Sequence, residues 1–186
     1  MHVTDYTHPS VLTILDKTSP IALFSFIHSD SPGFYLGVHD TLLSACAASR
    51  TCHRLIPSEY GGNISDFPDL PRFYGPTHGV FRETLRQRAA EMGVSWALVN
   101  GGWFMDYFVP PERSYMKPLP GVWPIDLEQG AAVVLGTGEE AVGWTAARDV
   151  AKALVRLVEA EELVRHALWI SLPVPFSTSV LEWLTG

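Results

Sequence analysis

Positive charge is scarce in this chain. Thirteen lysines and arginines stand against 20 aspartates and glutamates in 186 residues, giving a formal charge of -7 and a pI near 5.4. Affinity for nucleic acid rests on clustered Lys and Arg that neutralise phosphates, and here the basic residues are scattered, which speaks against a nucleic-acid partner. Long hydrophobic runs are missing too. The longest, Pro20 to Ile27, falls far short of the roughly 20 residues that span a bilayer. The N-terminus lacks the basic-then-apolar pattern of a secretory signal, so the chain is expected in the cytoplasm with no membrane partner. Cysteine is rare: Cys46 and Cys52 are spaced as neither a CxxC redox pair nor a zinc site and are expected to be reduced structural thiols. The seven histidines form no HxxxH or HxH pair that would bring two rings to one metal, so no metal is expected.

Several catalytic signatures are absent as well. Gly136-Thr137-Gly138 looks like the start of a phosphate loop, but the next glycine is Gly143, so neither GxGxxG nor the P-loop spacing is met and a plain turn is expected. There is no GxSxG nucleophile elbow, and no Tyr-x-x-x-Lys pair to act as a hydride-transfer acid.

What is present is the composition of a well-cored globule, 47% hydrophobic and 18% charged. Leu23 to Ile27, bounded by Pro20 and by Asp30-Ser31-Pro32-Gly33, reads as a strand buried on both faces. Val38, Leu42, Ala45 and Cys46 follow at helical spacing, and Leu55 to Ser58 makes a short strand, completing a βαβ unit. After a proline-rich loop from Asn63 to Pro76, the residues Phe81, Leu85, Ala89 and Met92 line one face of a helix, with Arg82, Glu83, Arg86 and Glu91 placed off it and Gly93 ending it. Val94 to Val99 is a further strand. A second proline-rich excursion, Val109 to Pro124, reads as an inserted lid. It leads to a strand at Ala131 to Leu135, a helix capped by Thr145 with Val150, Leu154 and Leu157 on its apolar stripe, and a last strand at Leu168 to Leu172. This alternation predicts an α/β protein with a doubly wound parallel sheet.

Ligands of open α/β sheets bind beyond the carboxyl ends of the strands. Three such ends carry polar and aromatic residues: Phe26 to Ser29, Pro57 to Gly61, and Asn100 to Phe104. Together they could wall a cleft. His28, Ser58, Glu59, Tyr60, Asn100, Gly101, Trp103 and Phe104 are its expected lining, with each strand-end polar residue equally open to a capping role. Thr77-His78 opens the long helix, so His78 is a candidate proton carrier or hydrogen-bond donor facing the same cleft; a solvated histidine at a helix start is the alternative.

Several segments resemble one family, the NmrA-like, isoflavone-reductase-like members of the atypical short-chain dehydrogenases. Leu55-Ile56-Pro57-Ser58-Glu59-Tyr60-Gly61 is similar to the family's "IPSE(F/Y)G" after its fifth strand. Phe73-Tyr74, the run Trp96 to Phe104, the helix start Thr145 to Ala151, and Asp5-Tyr6 with Pro9-Ser10-Val11-Leu12 follow the family in order. The resemblance covers nearly the whole chain. It implies a partial Rossmann-like sheet, lacking the family's first strands and GxxGxxG loop and shortened at both ends. Residues 1-108 would form the Rossmann-like core, strands 3 to 6 of the family fold. Residues 109-186 would form a lid and a small substrate-binding C-terminal part.

The implied cofactor is NADP(H) or NAD(H), with Phe26, His28, Pro57, Ser58, Glu59 and Tyr60 on the cofactor side. Asn100, Gly101, Trp103, Phe104 and Tyr107 would lie on the substrate side, and Thr77 and His78 stand where the family places a catalytic lysine. The implied function is an NAD(P)-linked reductase or isomerase of a small aromatic or polyketide-like metabolite. The alternatives are a non-enzymatic NAD(P)-sensing regulator, or a cofactor-free descendant that isomerises, cyclises or dehydrates its substrate. The family strand order 3-2-1-4-5-6 also leaves the inner edge of Ile21 to Ile27 unpaired. Met1 to Tyr6 folding back onto it, a homodimer along it, or aggregation is therefore expected.

Overall fold

Short apolar strands alternate with amphipathic helices along the chain, and in the computed structural model this pattern builds parallel βαβ units. The described residues are 1-61, 74-114, 116, 124-126, 129-133, 136-139, 141-160, 167-169 and 172-175. They fall into two compact units, Met1–Asn100 with Val155–Leu168, and Gly101–Leu154 with Trp169–Gly186.

In the first unit, α1 (His8–Thr18) starts with a proline in its first turn, where a missing N–H costs nothing. It ends at Ser19 in the left-handed conformation, φ 47°. Its buried Val11 and Leu15 join α2 (Pro32–Ala48) in one core. Val38, Leu42, Ala45 and Cys46 of α2 are all buried as their spacing predicts, and Tyr35 and His39 are buried beside them. The strands β1 (Leu23–Phe24), β2 (Arg54–Ile56) and β3 (Ser95–Trp96) pair in parallel in the order β1-β2-β3. Between β2 and β3 lie a π-helical turn (Gly75–Gly79) and α3 (Val80–Arg88). Gly93 closes the turn after α3 at φ +68°, a conformation that suits glycine.

Three expectations are corrected here. The strand read from Leu23 to Ile27 holds only two residues in its ladder, extended by the Ser25 N–H donating to the Ile56 carbonyl at 2.9 Å. It is not buried on both faces, since Leu23 and Phe24 are half-buried and Phe26 is 66% exposed. The single strand Val94 to Val99 is two, β3 and β4 (Leu98–Asn100), separated at Ala97, because β3 pairs with β2 while β4 pairs with β9 (Ala167–Trp169). Met1 to Tyr6 adds no strand to β1; Thr4 and Tyr6 instead line, with Leu15, Phe24, Leu42 and others, a cavity of about 410 Å³.

The second unit contains β5 (Trp103–Phe104), β6 (Ile125–Asp126), β7 (Ala131–Ala132), β8 (Ala141–Thr145) and β10 (Leu172–Pro175). Its sheet runs β10-β8-β5, parallel between β5 and β8 and antiparallel between β8 and β10, and β6 with β7 forms a separate antiparallel pair. The helix α4 (Ala147–Glu159) carries Val150, Leu154 and Leu157 on its buried stripe, as predicted. Thr145 does not hold its N-cap position: it ends β8, and Ala146 accepts the first helical bond from Val150. The Ala147 N–H is instead satisfied by the Asp106 carboxylate at 2.7 Å, an anion at the positive end of the helix dipole. Gly136 and Gly138 both have positive φ, 64° and 86°, in the turn expected there. Much of the proposed lid and the residue Leu135 lie outside the described residues.

Candidate functional site

The carboxyl ends of β1 and β2 and the π-helical turn bring together a cluster of polar and aromatic side chains in the first unit. Four rings form a continuous stack. Tyr74 lies on His78 (centroids 4.1 Å, planes 22° apart), His78 on Tyr35 (4.3 Å, 27°), and Tyr35 on His39 (4.0 Å, 27°). Phe81 tilts against His39 at 5.2 Å, and His28 approaches His78 at 6.3 Å and Tyr74 at 6.4 Å.

Hydrogen bonds fix one end of this stack. His39 Nδ1 lies 2.9 Å from the Tyr35 carbonyl, which can only accept, so Nδ1 carries the proton and Nε2 accepts from the Ser25 hydroxyl at 3.0 Å. The Tyr35 hydroxyl donates to the Ser58 carbonyl at 3.1 Å, tying α2 to the loop after β2. Thr77 Oγ1 and His78 Nδ1 are 2.8 Å apart, and both residues are buried. Burial holds His78 down at about 3, with the nearby charges of His28, His39 and Arg82 adding to the effect and a ring N–H donated to the Ser58 backbone carbonyl opposing it. His39 is lowered as well, by burial, against the pull of the Tyr35 carbonyl. The stack is therefore built from neutral imidazoles.

Beside the stack, Glu59 is fully engaged by Arg82, which donates from Nη2 to Oε2 at 2.7 Å and from Nε to Oε1 at 3.0 Å. Burial raises the Glu59 carboxyl, and the Arg82 hydrogen bonds and charge oppose that rise. Arg82 was expected off the buried face of α3, yet it is buried because this carboxylate awaits it. Tyr60 stacks on the exposed Phe26 at 5.0 Å with planes 16° apart. Its Oη is buried with no hydrogen-bond partner among the described residues, and burial raises its hydroxyl. Gly61 lets the chain pass under Tyr74, because a Cβ there would overlap the Tyr74 hydroxyl and lie 3.0 Å from Cζ.

Of the residues singled out from sequence, Phe26, His28, Pro57, Ser58, Glu59, Tyr60, Thr77 and His78 thus fall in one neighbourhood. Asn100 is buried at the end of β4. Gly101, Trp103, Phe104 and Tyr107 belong to the second unit, where Trp103 and Phe104 pack edge-on against Tyr107 at 6.3 and 6.4 Å, with Phe108, Ile125 and Trp144 in the same core. Sequence reasoning missed Tyr35, His39 and Arg82. The first two lie at helical spacing from Leu42, a signal that could have found them, whereas nothing in the local pattern marks Arg82 as buried.

A parallel βαβ sheet with polar and aromatic residues at its strand ends has the Rossmann-like fold. The described architecture is that of the isoflavone-reductase-like, NmrA-like family, as the motifs imply. The solved isoflavone reductase superposes with a TM-score of 0.63 at 17% identity, covering 96% of this chain and 54% of that one. The structure titled AtPrR2 with NADP+ and (+)pinoresinol gives 0.62 at 15%, covering 95% and 54%. Leucoanthocyanidin reductase from Vitis vinifera, a ternary complex, gives 0.57 at 18%, covering 91% and 54%. In sequence the chain is 42% identical over 158 residues to "Oxidoreductase swnR" of Arthroderma benhamiae and 38% identical to the protein of that name in Metarhizium robertsii, in each case covering 85% of this chain. The chain spans about half the length of these curated relatives, 50% of each. No family model matches it. Among the described residues no helix is long and apolar enough to cross a membrane, and no group of three metal-ligating side chains occurs.

Proposed function

We propose that this chain carries the ring-binding side of an NAD(P)-linked reductase or isomerase that acts on a small aromatic or polyketide-like metabolite. The observation that carries the reading is the Phe26–Tyr60 pair: an exposed ring stacked on a tyrosine whose buried Oη has no partner among the described residues, at the carboxyl ends of adjacent parallel strands. An exposed aromatic face at these strand ends suits a flat ring. Its likeness to a structure holding NADP+ and (+)pinoresinol supports the same reading.

In this reading Phe26, His28 and Pro57 to Tyr60 wall the cofactor side. Thr77 and His78 act as a neutral pair in which the imidazole serves as a hydrogen-bond partner rather than a charged acid. Asn100, Gly101, Trp103, Phe104 and Tyr107 are the substrate-side candidates. The bound nucleotide would supply or accept the hydride. The described residues fit its ring end and not its pyrophosphate, since no helix among them opens on a glycine-rich turn that would cradle phosphates.

A second reading is a redox-neutral isomerisation, cyclisation or dehydration in the same place. Calorimetric titration with NADPH separates the two. Binding tighter than about 10 µM that weakens on Phe26→Ala and Tyr60→Phe supports the reductase reading. Absence of heat leaves it without a hydride source and favours the second. A homodimer along the open edge of β1 belongs to the same proposal, and light scattering that shows a monomer at all concentrations would remove it.

A further inference from the structure

Cys46 sits near the C-terminal end of α2 and Cys52 two residues before β2, and their Sγ atoms are 3.8 Å apart. Both are free thiols and both are fully buried. The turn between them is held by Ser49, whose backbone N–H closes α2 on Ala45 and whose hydroxyl accepts from the Thr51 and Cys52 N–H groups at 3.4 and 3.2 Å. Arg50 and Thr51 in this turn are exposed, so solvent reaches the chain within two residues of Cys52. The sequence spacing hides the pair, because only the reversal at Ser49 brings two cysteines six positions apart into contact.

We propose that Cys46 and Cys52 form a redox modification site, a dithiol that hydrogen peroxide converts to an intramolecular disulfide. The two sulfurs play different parts. The hydrogen bond from Cys46 lowers the Cys52 thiol against its burial, while the same contact and burial raise Cys46; Cys52 is the thiol that ionises first and attacks, and Cys46 is the resolving thiol. The Cys52 thiolate attacks one peroxide oxygen, the O–O bond breaks, and hydroxide leaves, giving a sulfenic acid at Cys52. Cys46 then attacks that sulfur, the S–O bond breaks, and the Cys46 proton leaves with the hydroxyl as water. In total two thiols and one peroxide give one disulfide and two waters, the two electrons passing from sulfur to peroxide. The product closes residues 47-51 into a ring and ties the end of α2 to the start of β2, the strand that leads into Pro57 to Tyr60.

The whole chain treated with about 1 mM hydrogen peroxide is expected to lose about 2 Da and both of its titratable thiols in denaturant. Trypsin cuts after Lys17, Arg50 and Arg54, so the peptide Thr51 to Arg54 should remain joined to Thr18 to Arg50 until a reductant is added. Cys46→Ser is expected to stop at a sulfenic acid on Cys52, captured by dimedone, and Cys52→Ser to leave Cys46 unlabelled. Persistence of both thiols, a disulfide between two chains, or dimedone on Cys46 would overturn the proposal. The peptide map of the unaltered chain decides the matter even if neither variant folds.

Discussion

Arg82 and Glu59 meet through two parallel hydrogen bonds, 2.7 and 3.0 Å long, with both side chains buried. The pair joins the loop after β2 to the first turn of α3, across 23 positions of sequence. Removing one partner strands the other charge out of water. Glu59→Ala is therefore expected to cost about 3–5 kcal/mol in urea unfolding, while the apolar double replacement Glu59→Leu with Arg82→Met recovers most of it. Additive losses in the double variant would contradict this account.

The stacked histidines make stability depend on pH. His78 titrates near 3 in the folded chain and near 6.5 when unfolded, so the unfolded chain takes up protons first. Stability is complete above about 6.5, declines as the pH falls, and the loss is complete once the pH passes below about 3. His39 is lowered too and adds in the same direction. His78→Phe keeps the ring stack and removes the titration, so its stability should fall less between pH 7 and pH 4 than that of the unaltered chain, by on the order of 3 kcal/mol. Parallel curves for the two proteins would show that His78 is not the linked group.

Gly102 sits at φ +65°, and a Cβ on it would lie 2.7 Å from the Gly143 carbonyl carbon. The obstacle is backbone of β8, which cannot rotate aside. Gly102→Ala is expected to destabilise the second unit by about 3 kcal/mol or more, read from the fluorescence of Trp103 and Trp144. An unchanged unfolding midpoint would mean that β5 and β8 pair differently.

Asp106 accepts from the Ala147 N–H at 2.7 Å. Asp106→Ala removes both the acceptor and the negative charge at the start of α4, with an expected cost of about 0.5–2 kcal/mol. Thr145→Val tests the alternative cap: it should cost less than Asp106→Ala, and the reverse order would restore Thr145 to the capping role.

Repeating local patterns are what the sequence determined by itself. The stripe Val38, Leu42, Ala45 and Cys46 specified α2, Gly93 specified the end of the α3 segment, and the alternation of apolar strands with these helices specified a parallel α/β sheet, because burying one face of each element leaves few other arrangements. The strand ends rich in polar and aromatic residues were legible for the same reason, and they hold Phe26, His28, Ser58, Glu59 and Tyr60. Tertiary structure decided what depends on partners distant in sequence. Arg82 is buried only because Glu59 lies 23 positions earlier, His78 is neutral only because Tyr35 and Tyr74 enclose it, and α4 is capped from Asp106, 41 positions away. A sequence pattern records which faces are apolar; it does not record which charge or ring will stand opposite, and that opposition sets protonation, burial and chemistry here.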